Sequence, residues 1–195
     1  MKLYIIRHGE TKWNREGRMQ GWLDSELTKE AEMKAKNLHE KLKPKRFDKV
    51  YSSDLNRAIN TAKLVSGFSN EKIIKKRELR EIELGKWQGM LFKDIKKEYP
   101  KLLDIYFNDS ENYNPADSEN FCDLYNRINK FLEEIKDLND KNILIVTHGV
   151  TMIAILNIIR GIGIKDFWNM EVPDGLTPVI YKYEDDKFEL LDTDL

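Results

Sequence analysis

Two short apolar runs, Leu3-Tyr4-Ile5-Ile6 and Ile143-Leu144-Ile145-Val146, have no polar face to turn to solvent, so each reads as a strand buried on both sides. Both run into a histidine followed by a glycine: His8-Gly9 after Arg7, and His148-Gly149 after Thr147. The segments between them carry apolar residues at helical spacing. Ala31, Ala35, Leu38 and Leu42 recur on one face as far as Pro44, with Thr28 placed to cap the start. Leu55, Ala58, Ile59, Ala62 and Val65 mark a second helix, capped by Ser52-Ser53-Asp54, after a strand at Phe47 to Tyr51. A long amphipathic helix is predicted over Ser118 to Leu138. Strands alternating with helices predict an α/β fold, a mainly parallel central sheet with helices on both faces in three layers.

Gly9 to Glu26 shows little periodicity and reads as a loop. A short third strand is expected at Ile73-Ile74, an extended stretch at Glu78 to Gly85, and two short helices over Asp94 to Phe107, broken at Pro100. Asn108 to Asp117 reads as a mobile loop. The helix from Val150 to Arg160 is apolar nearly all round, which fits either deep burial or a homodimer contact, and Gly161 closes it. Val179 to Tyr183 and Phe188 to Leu191 read as a hairpin around Glu184-Asp185-Asp186. The length suits one domain over 1–195, with a small cap over about 88–120.

Lys and Arg number 33 against 34 Asp and Glu, so no global field gathers nucleic acid or an anionic membrane. The lone Cys122 leaves no internal disulfide and no multi-cysteine metal motif; it is expected as a buried or half-buried thiol in a reducing compartment. Ile143 to Ile159 mimics a membrane span but is interrupted by Thr147, His148, Gly149, Thr151 and Asn157. No signal peptide is read at the start, where Lys2 precedes only four apolar residues. These features predict a soluble cytoplasmic protein with neither a nucleic-acid nor a membrane partner.

In open α/β sheets ligands bind beyond the carboxyl ends of the strands, where His8 and His148 are expected. With Arg7-His8-Gly9 near the start, the chain resembles the histidine phosphatase superfamily, the phosphoglycerate-mutase-like proteins. Further stretches carry the resemblance: Thr11, Trp13 and Asn14, then Gln20-Gly21 and Leu27-Thr28, then Ser52-Ser53-Asp54-Leu55 with Arg57-Ala58 and Thr61-Ala62, then Gly85-Lys86-Trp87-Gln88-Gly89, and Val146-Thr147-His148-Gly149. The resemblance implies that Asn14 contacts a substrate phosphate and that Gln20 and Gly21 form the neighbouring wall.

Phosphomonoester transfer requires a grip on a dianion, an in-line nucleophile and a proton for the departing oxygen. Arg7 and Arg57 offer planar guanidinium donors, and His148 with the amides at Gly149 can add to the grip. His8 is then the nucleophile, forming a phosphohistidine that water cleaves. No metal or other cofactor is required, since two arginines and a second histidine supply the positive charge. His39 is expected to be solvated. Glu81 and Glu83 share a face if their segment is extended, and position alone does not choose between them; the family's Leu-x-Glu stretch assigns Glu81 as general acid and later base, with Glu83 as the fallback.

Mutases of the family carry an insertion after the Gly-x-Trp segment and an Asn after the His-Gly pair. This chain has no such insertion and carries Val150, so the resemblance implies a hydrolase close to the small broad-specificity and α-ribazole phosphatases, with a small phosphorylated metabolite as substrate. The alternatives are a cofactor-dependent phosphoglycerate mutase and, in another class, a non-catalytic phosphate- or phosphopeptide-binding module, which would need the arginines but neither His8 nor Glu81. The family's Pro-Gly-Gly-Glu turn is replaced by Pro115-Ala116-Asp117-Ser118-Glu119. Tyr106, Phe107 and Tyr113 are expected as an apolar wall for the leaving group, and Asp109, Glu111 and Asp117 as an acidic rim disfavouring bisphosphates.

Overall fold

A computed structural model describes residues 1–138 and 140–191; residues 139 and 192–195, part of the expected domain, lie outside it. Six strands form one sheet: β1 (Lys2–Arg7), β2 (Lys49–Ser53), β3 (Ile74–Lys76), β4 (Asn142–Thr147), β5 (Val179–Glu184) and β6 (Lys187–Leu191), in the order β3-β2-β4-β1-β5-β6. The first four in that order are parallel, and β5 and β6 complete the edge antiparallel. The helices are α1 (Lys12–Glu16), α2 (Lys29–Leu42), α3 (Asn56–Ser66), α4 (Phe92–Glu98), α5 (Pro100–Asn108), α6 (Phe121–Lys136) and α7 (Gly149–Arg160).

The sheet divides the core by the two-residue period of its strands. Tyr4, Ile6, Leu144 and Val146 face α2 and α3, where Ala35, Leu38, Ala58 and Ala62 are buried against them. Leu3, Ile5, Ile143 and Ile145 face the other way, toward Phe121, Leu124 and Ile128 of α6 and Met152 and Ile155 of α7. This explains why the central strands read as unbroken apolar runs. It also accounts for α7, whose residues from Thr151 to Asn157 are buried within the chain itself.

Local signals fix several ends. The Thr28 side chain accepts the Ala31 amide (3.1 Å) at the start of α2. Asn120 and Asp123 form a reciprocal capping box that starts α6 at Phe121, three residues inside the expected helix. Asp185 and Asp186 both take left-handed backbone, the geometry of a tight hairpin turn between β5 and β6.

The structure corrects other expectations. The stretch from Gly9 to Glu26 contains α1, because Thr11 and Asn14 form a capping box. β2 runs through Ser52 and Ser53, fully buried and paired with β4 and β3, so these serines do not cap α3. The cap comes from Asp24, whose carboxylate accepts the amides of Asn56 (2.8 Å) and Arg57 (3.3 Å). β3 begins at Ile74 opposite Tyr51. The expected extended stretch begins and ends in 3-10 turns, at Arg77–Leu79 and Gly85–Trp87, and residues 81–84 between them join no strand. Cys122 is exposed on α6. His39 is half-buried, Nδ1 bonded to the Val65 carbonyl (2.9 Å), which ties α2 to α3.

Candidate active site

Register places the two histidines side by side. Arg7 of β1 lies opposite Thr147 of β4, and the His8 amide continues the ladder to the Thr147 carbonyl (2.9 Å). The imidazoles of His8 and His148 pack edge to face with centroids 5.1 Å apart. They sit beyond the carboxyl ends of the strands, where α7 begins with His148 as its N-cap residue.

His8 is almost fully buried. Its Nδ1 lies 2.7 Å from the Gly9 carbonyl, which only accepts, so Nδ1 carries the proton and Nε2 bears the lone pair. The Gly9 amide is in turn bonded to Thr61 Oγ1 (3.1 Å). Burial, then the positive charges of Arg57 and Arg7, push the imidazole well below its ordinary range, outweighing the Gly9 bond. The result is a neutral ring with one nitrogen fixed and the other available.

Arg57 Nε donates to His8 Nε2 at 3.3 Å. The rest of the guanidinium is held from behind: Nη1 bonds the Leu23 carbonyl (2.7 Å) and Asp24 Oδ1 (2.9 Å), and Nη2 bonds the Gly21 carbonyl (2.6 Å). Burial lowers its proton affinity while Asp24 and Glu81 oppose that, and an arginine so placed remains a cation. Gly21 takes left-handed backbone at φ 51°, which turns its carbonyl toward Arg57 at no steric cost.

Around His8 lies a cavity of about 150 Å³. Its wall contains Arg7, Asn14, Gln20, Gly21, Arg57, Glu81 and Gly149, so it unites eight of the nine sequence-predicted site residues when His8 is counted. His148 lies behind that wall, fully buried. Both of its ring nitrogens, and Arg7 Nε, are buried without a hydrogen-bond partner among the described residues. Burial, then Arg57 and the neighbouring charges, push His148 well below its ordinary range too. Asn14 spends its Oδ1 on Thr11, leaving its amide nitrogen for the cavity.

Glu81 and Glu83 diverge. The Glu81 carboxyl group sits on the first turn of α7: Oε1 accepts the Thr151 amide (3.1 Å) and Oε2 the Val150 amide (3.3 Å). Glu83 Oε1 accepts the Gly85 amide (3.1 Å) and lies outside the cavity wall. The two side chains thus have different partners, and only Glu81 lines the cavity.

The expected specificity elements are placed elsewhere. Tyr106 and Tyr113 are buried with Trp87 and Phe121 in edge-to-face and tilted contacts, and Phe107 packs on Trp168. Aromatic packing draws Tyr106 and Tyr113 into the core while Phe107 stays exposed, and the apolar wall of the cavity is Met19, Leu84, Val150 and Val172 instead. Asp109 bonds the Asn112 side chain, Asp117 faces Lys86 at 3.4 Å, and neither they nor Glu111 line the cavity.

Several supporting residues escaped sequence reasoning. Asp24 orients Arg57, Trp22 Nε1 bonds the Glu81 carbonyl (2.8 Å), and Arg77 and Arg80 lie over the Trp22 ring at 5.0 and 4.8 Å. Gly175 closes against the His8 carbonyl so tightly that a Cβ there would lie 2.8 Å from that oxygen. A second groove, bounded by α2 and residues 174–177, shares Arg7, His8 and Asn14 with the cavity. Among the described residues, no group of His, Cys, Asp and Glu is arranged to hold a metal ion, and no helix is long and apolar enough to cross a membrane.

The sequence matches the family profile described as the histidine phosphatase superfamily (branch 1) over residues 3–194. It is 31% identical over 185 residues to phosphoserine phosphatase 1 of Hydrogenobacter thermophilus, covering 94% of this chain and 88% of that protein. It is 32% identical over 177 residues to the adenosylcobalamin/alpha-ribazole phosphatase of Escherichia coli K12, covering 90% and 87%. Among solved structures, Bacillus stearothermophilus YhfR aligns with a TM-score of 0.90 at 33% identity, covering 97% of this chain and 94% of that one.

Proposed function

Because the chain belongs to the histidine phosphatase superfamily, we propose that it hydrolyses small phosphomonoesters without a metal ion, through a phosphohistidine on His8 with Glu81 as proton donor and acceptor. It is a phosphoric monoester hydrolase by family and by the phosphatases to which it is similar. The observation that carries the finer reading is the His8 tautomer: Nδ1–H is fixed on the Gly9 carbonyl, and Nε2 faces Arg57 in a cavity that also holds Glu81.

In the first step, Arg57 turns its Nε–H from His8 Nε2 to a phosphoryl oxygen, freeing the lone pair. Arg7, Asn14 and His148 supply further donors to the equatorial oxygens, and the partnerless nitrogens of Arg7 and His148 suit this role. The Nε2–P bond forms as the P–O bond to the leaving group breaks, and that oxygen takes the proton from Glu81. In the second step Glu81, now a carboxylate, takes a proton from water as the water oxygen attacks phosphorus. The Nε2–P bond breaks, inorganic phosphate leaves, and both residues return to their starting states. Gln20, Gly21 and Gly149 shape the walls that orient the ester.

Phosphate release from p-nitrophenyl phosphate in excess EDTA tests this, comparing wild type with His8→Ala. Turnover that survives chelation and is lost in the variant is expected. EDTA-sensitive turnover contradicts the metal-free mechanism, and full turnover in His8→Ala contradicts the nucleophile.

A further inference from the structure

Resting on the reading of Glu81 as proton donor, we propose that Arg127 and Glu119, outside the cavity wall, form a positioning pair that sets where the Glu81 carboxyl points. From Glu81 to Leu84 the chain belongs to no helix or strand, so its backbone groups need partners from elsewhere. The ion pair supplies those of Glu83 and shares the Glu81 carbonyl with Trp22 Nε1. Arg127, on α6, donates through Nη1 to the Glu78 carbonyl and through Nη2 to the Glu81 carbonyl (3.1 Å). The same guanidinium grips Glu119 bidentately, Nε to Oε1 at 2.5 Å and Nη2 to Oε2 at 2.8 Å. Glu119 carries the hold onward: its Oε2 accepts the Glu83 amide and its own amide bonds the Glu83 carbonyl, both at 3.2 Å.

One ion pair thus fastens the backbone at residues 78, 81 and 83, on both sides of the Glu81 side chain. Both partners are largely shielded, with side chains 16% and 11% exposed, so solvent does little to screen them. A general acid must lie within hydrogen-bond reach of the departing oxygen, and a segment without a ladder does not provide that alone. Arginine is required by geometry, since a lysine ammonium keeps the charge but cannot fork onto a carboxylate and two carbonyls together.

A purely structural pair would affect all substrates alike. A pair that aims the acid acts selectively, because p-nitrophenolate leaves unprotonated at neutral pH whereas an alkoxide needs the proton. The experiment measures kcat/KM, which reports the step in which the leaving group departs, for p-nitrophenyl phosphate and for an alkyl phosphate. The proteins are wild type, Glu81→Gln, Arg127→Lys and Glu119→Gln, each checked for a folded thermal transition; if Arg127→Lys does not fold, Glu119→Gln carries the comparison.

Glu81→Gln is expected to lose about a hundredfold on the alkyl ester and far less on the aryl ester. Arg127→Lys and Glu119→Gln are expected to lose about tenfold more on the alkyl than on the aryl ester. Equal losses on both esters, or none, while Glu81→Gln discriminates, would overturn the positioning role and leave the proposed mechanism standing. If Glu81→Gln itself fails to discriminate, its assignment as proton donor falls, and this inference with it.

Discussion

Asp24 holds Arg57 twice, at 2.9 Å through the guanidinium and at 3.3 Å through the backbone amide, so one carboxylate both caps α3 and orients the side chain that reaches His8. Asp24→Ala removes both contacts and is expected to cost about 1–3 kcal/mol of stability. It is also expected to lower kcat/KM by about tenfold to a hundredfold, as Arg57 loses its alignment. Asp24→Asn keeps only one of the two acceptor oxygens and should recover part of the stability but not the activity. Urea denaturation and steady-state kinetics on both variants check this; wild-type kinetics in Asp24→Ala would refute it.

His8 and His148 give stability a definite pH dependence. Burial and the nearby arginines keep both neutral well below their ordinary range, whereas in the unfolded chain each titrates near about 6.5. Between that value and the lower folded values the unfolded state binds more protons. The histidine contribution is therefore complete above about pH 6.5 and is lost as pH falls below it, at up to about 1.4 kcal/mol per pH unit for each ring. Urea unfolding between about pH 7.5 and about pH 5.5 should show this fall, with a smaller slope in His148→Gln. A stability that rises as pH drops through this window would contradict the neutral assignment.

Gly175→Ala tests how closely the chain must approach the nucleophile. The added Cβ would meet the His8 carbonyl at 2.8 Å, and the backbone is tied there by the Leu176 amide bonded to the Arg7 carbonyl (3.0 Å). The variant should lose about 1–3 kcal/mol and much of its kcat/KM. Gly163→Ala, where a Cβ meets nothing within 4 Å, serves as the control. Similar behaviour of the two variants would exclude the steric argument.

The histidine pair was readable in the sequence because it depends on local pattern: two buried strands, each ending in His-Gly, in a parallel sheet whose register aligns their ends. Position alone did not separate the two carboxyl groups, because what distinguishes them is partners: Glu81 meets the Val150 and Thr151 amides 69 and 70 residues along the chain, and Glu83 the nearby Gly85 amide. The same limit applies to Ser52 and Ser53, whose polar character suggests a helix cap but which lie fully buried in β2. Asp24 and Trp22 act across 33 and 59 residues, and Arg127 reaches Glu81 across 46, distances over which no periodicity carries information. Tyr106 and Tyr113 show the converse: aromatic residues at the end of an expected helix and in the loop after it suggested a substrate wall, but their mutual packing buries them.

The nucleophilic role of His8 is tested most directly by quenching the enzyme in alkali during turnover of p-nitrophenyl phosphate and locating the phosphoryl group by mass spectrometry. The mechanism predicts a phosphoryl group on the peptide carrying His8, stable in alkali and lost in acid, and absent from His8→Asn. A phosphoryl group on any other residue, or undiminished turnover in His8→Asn, would contradict it.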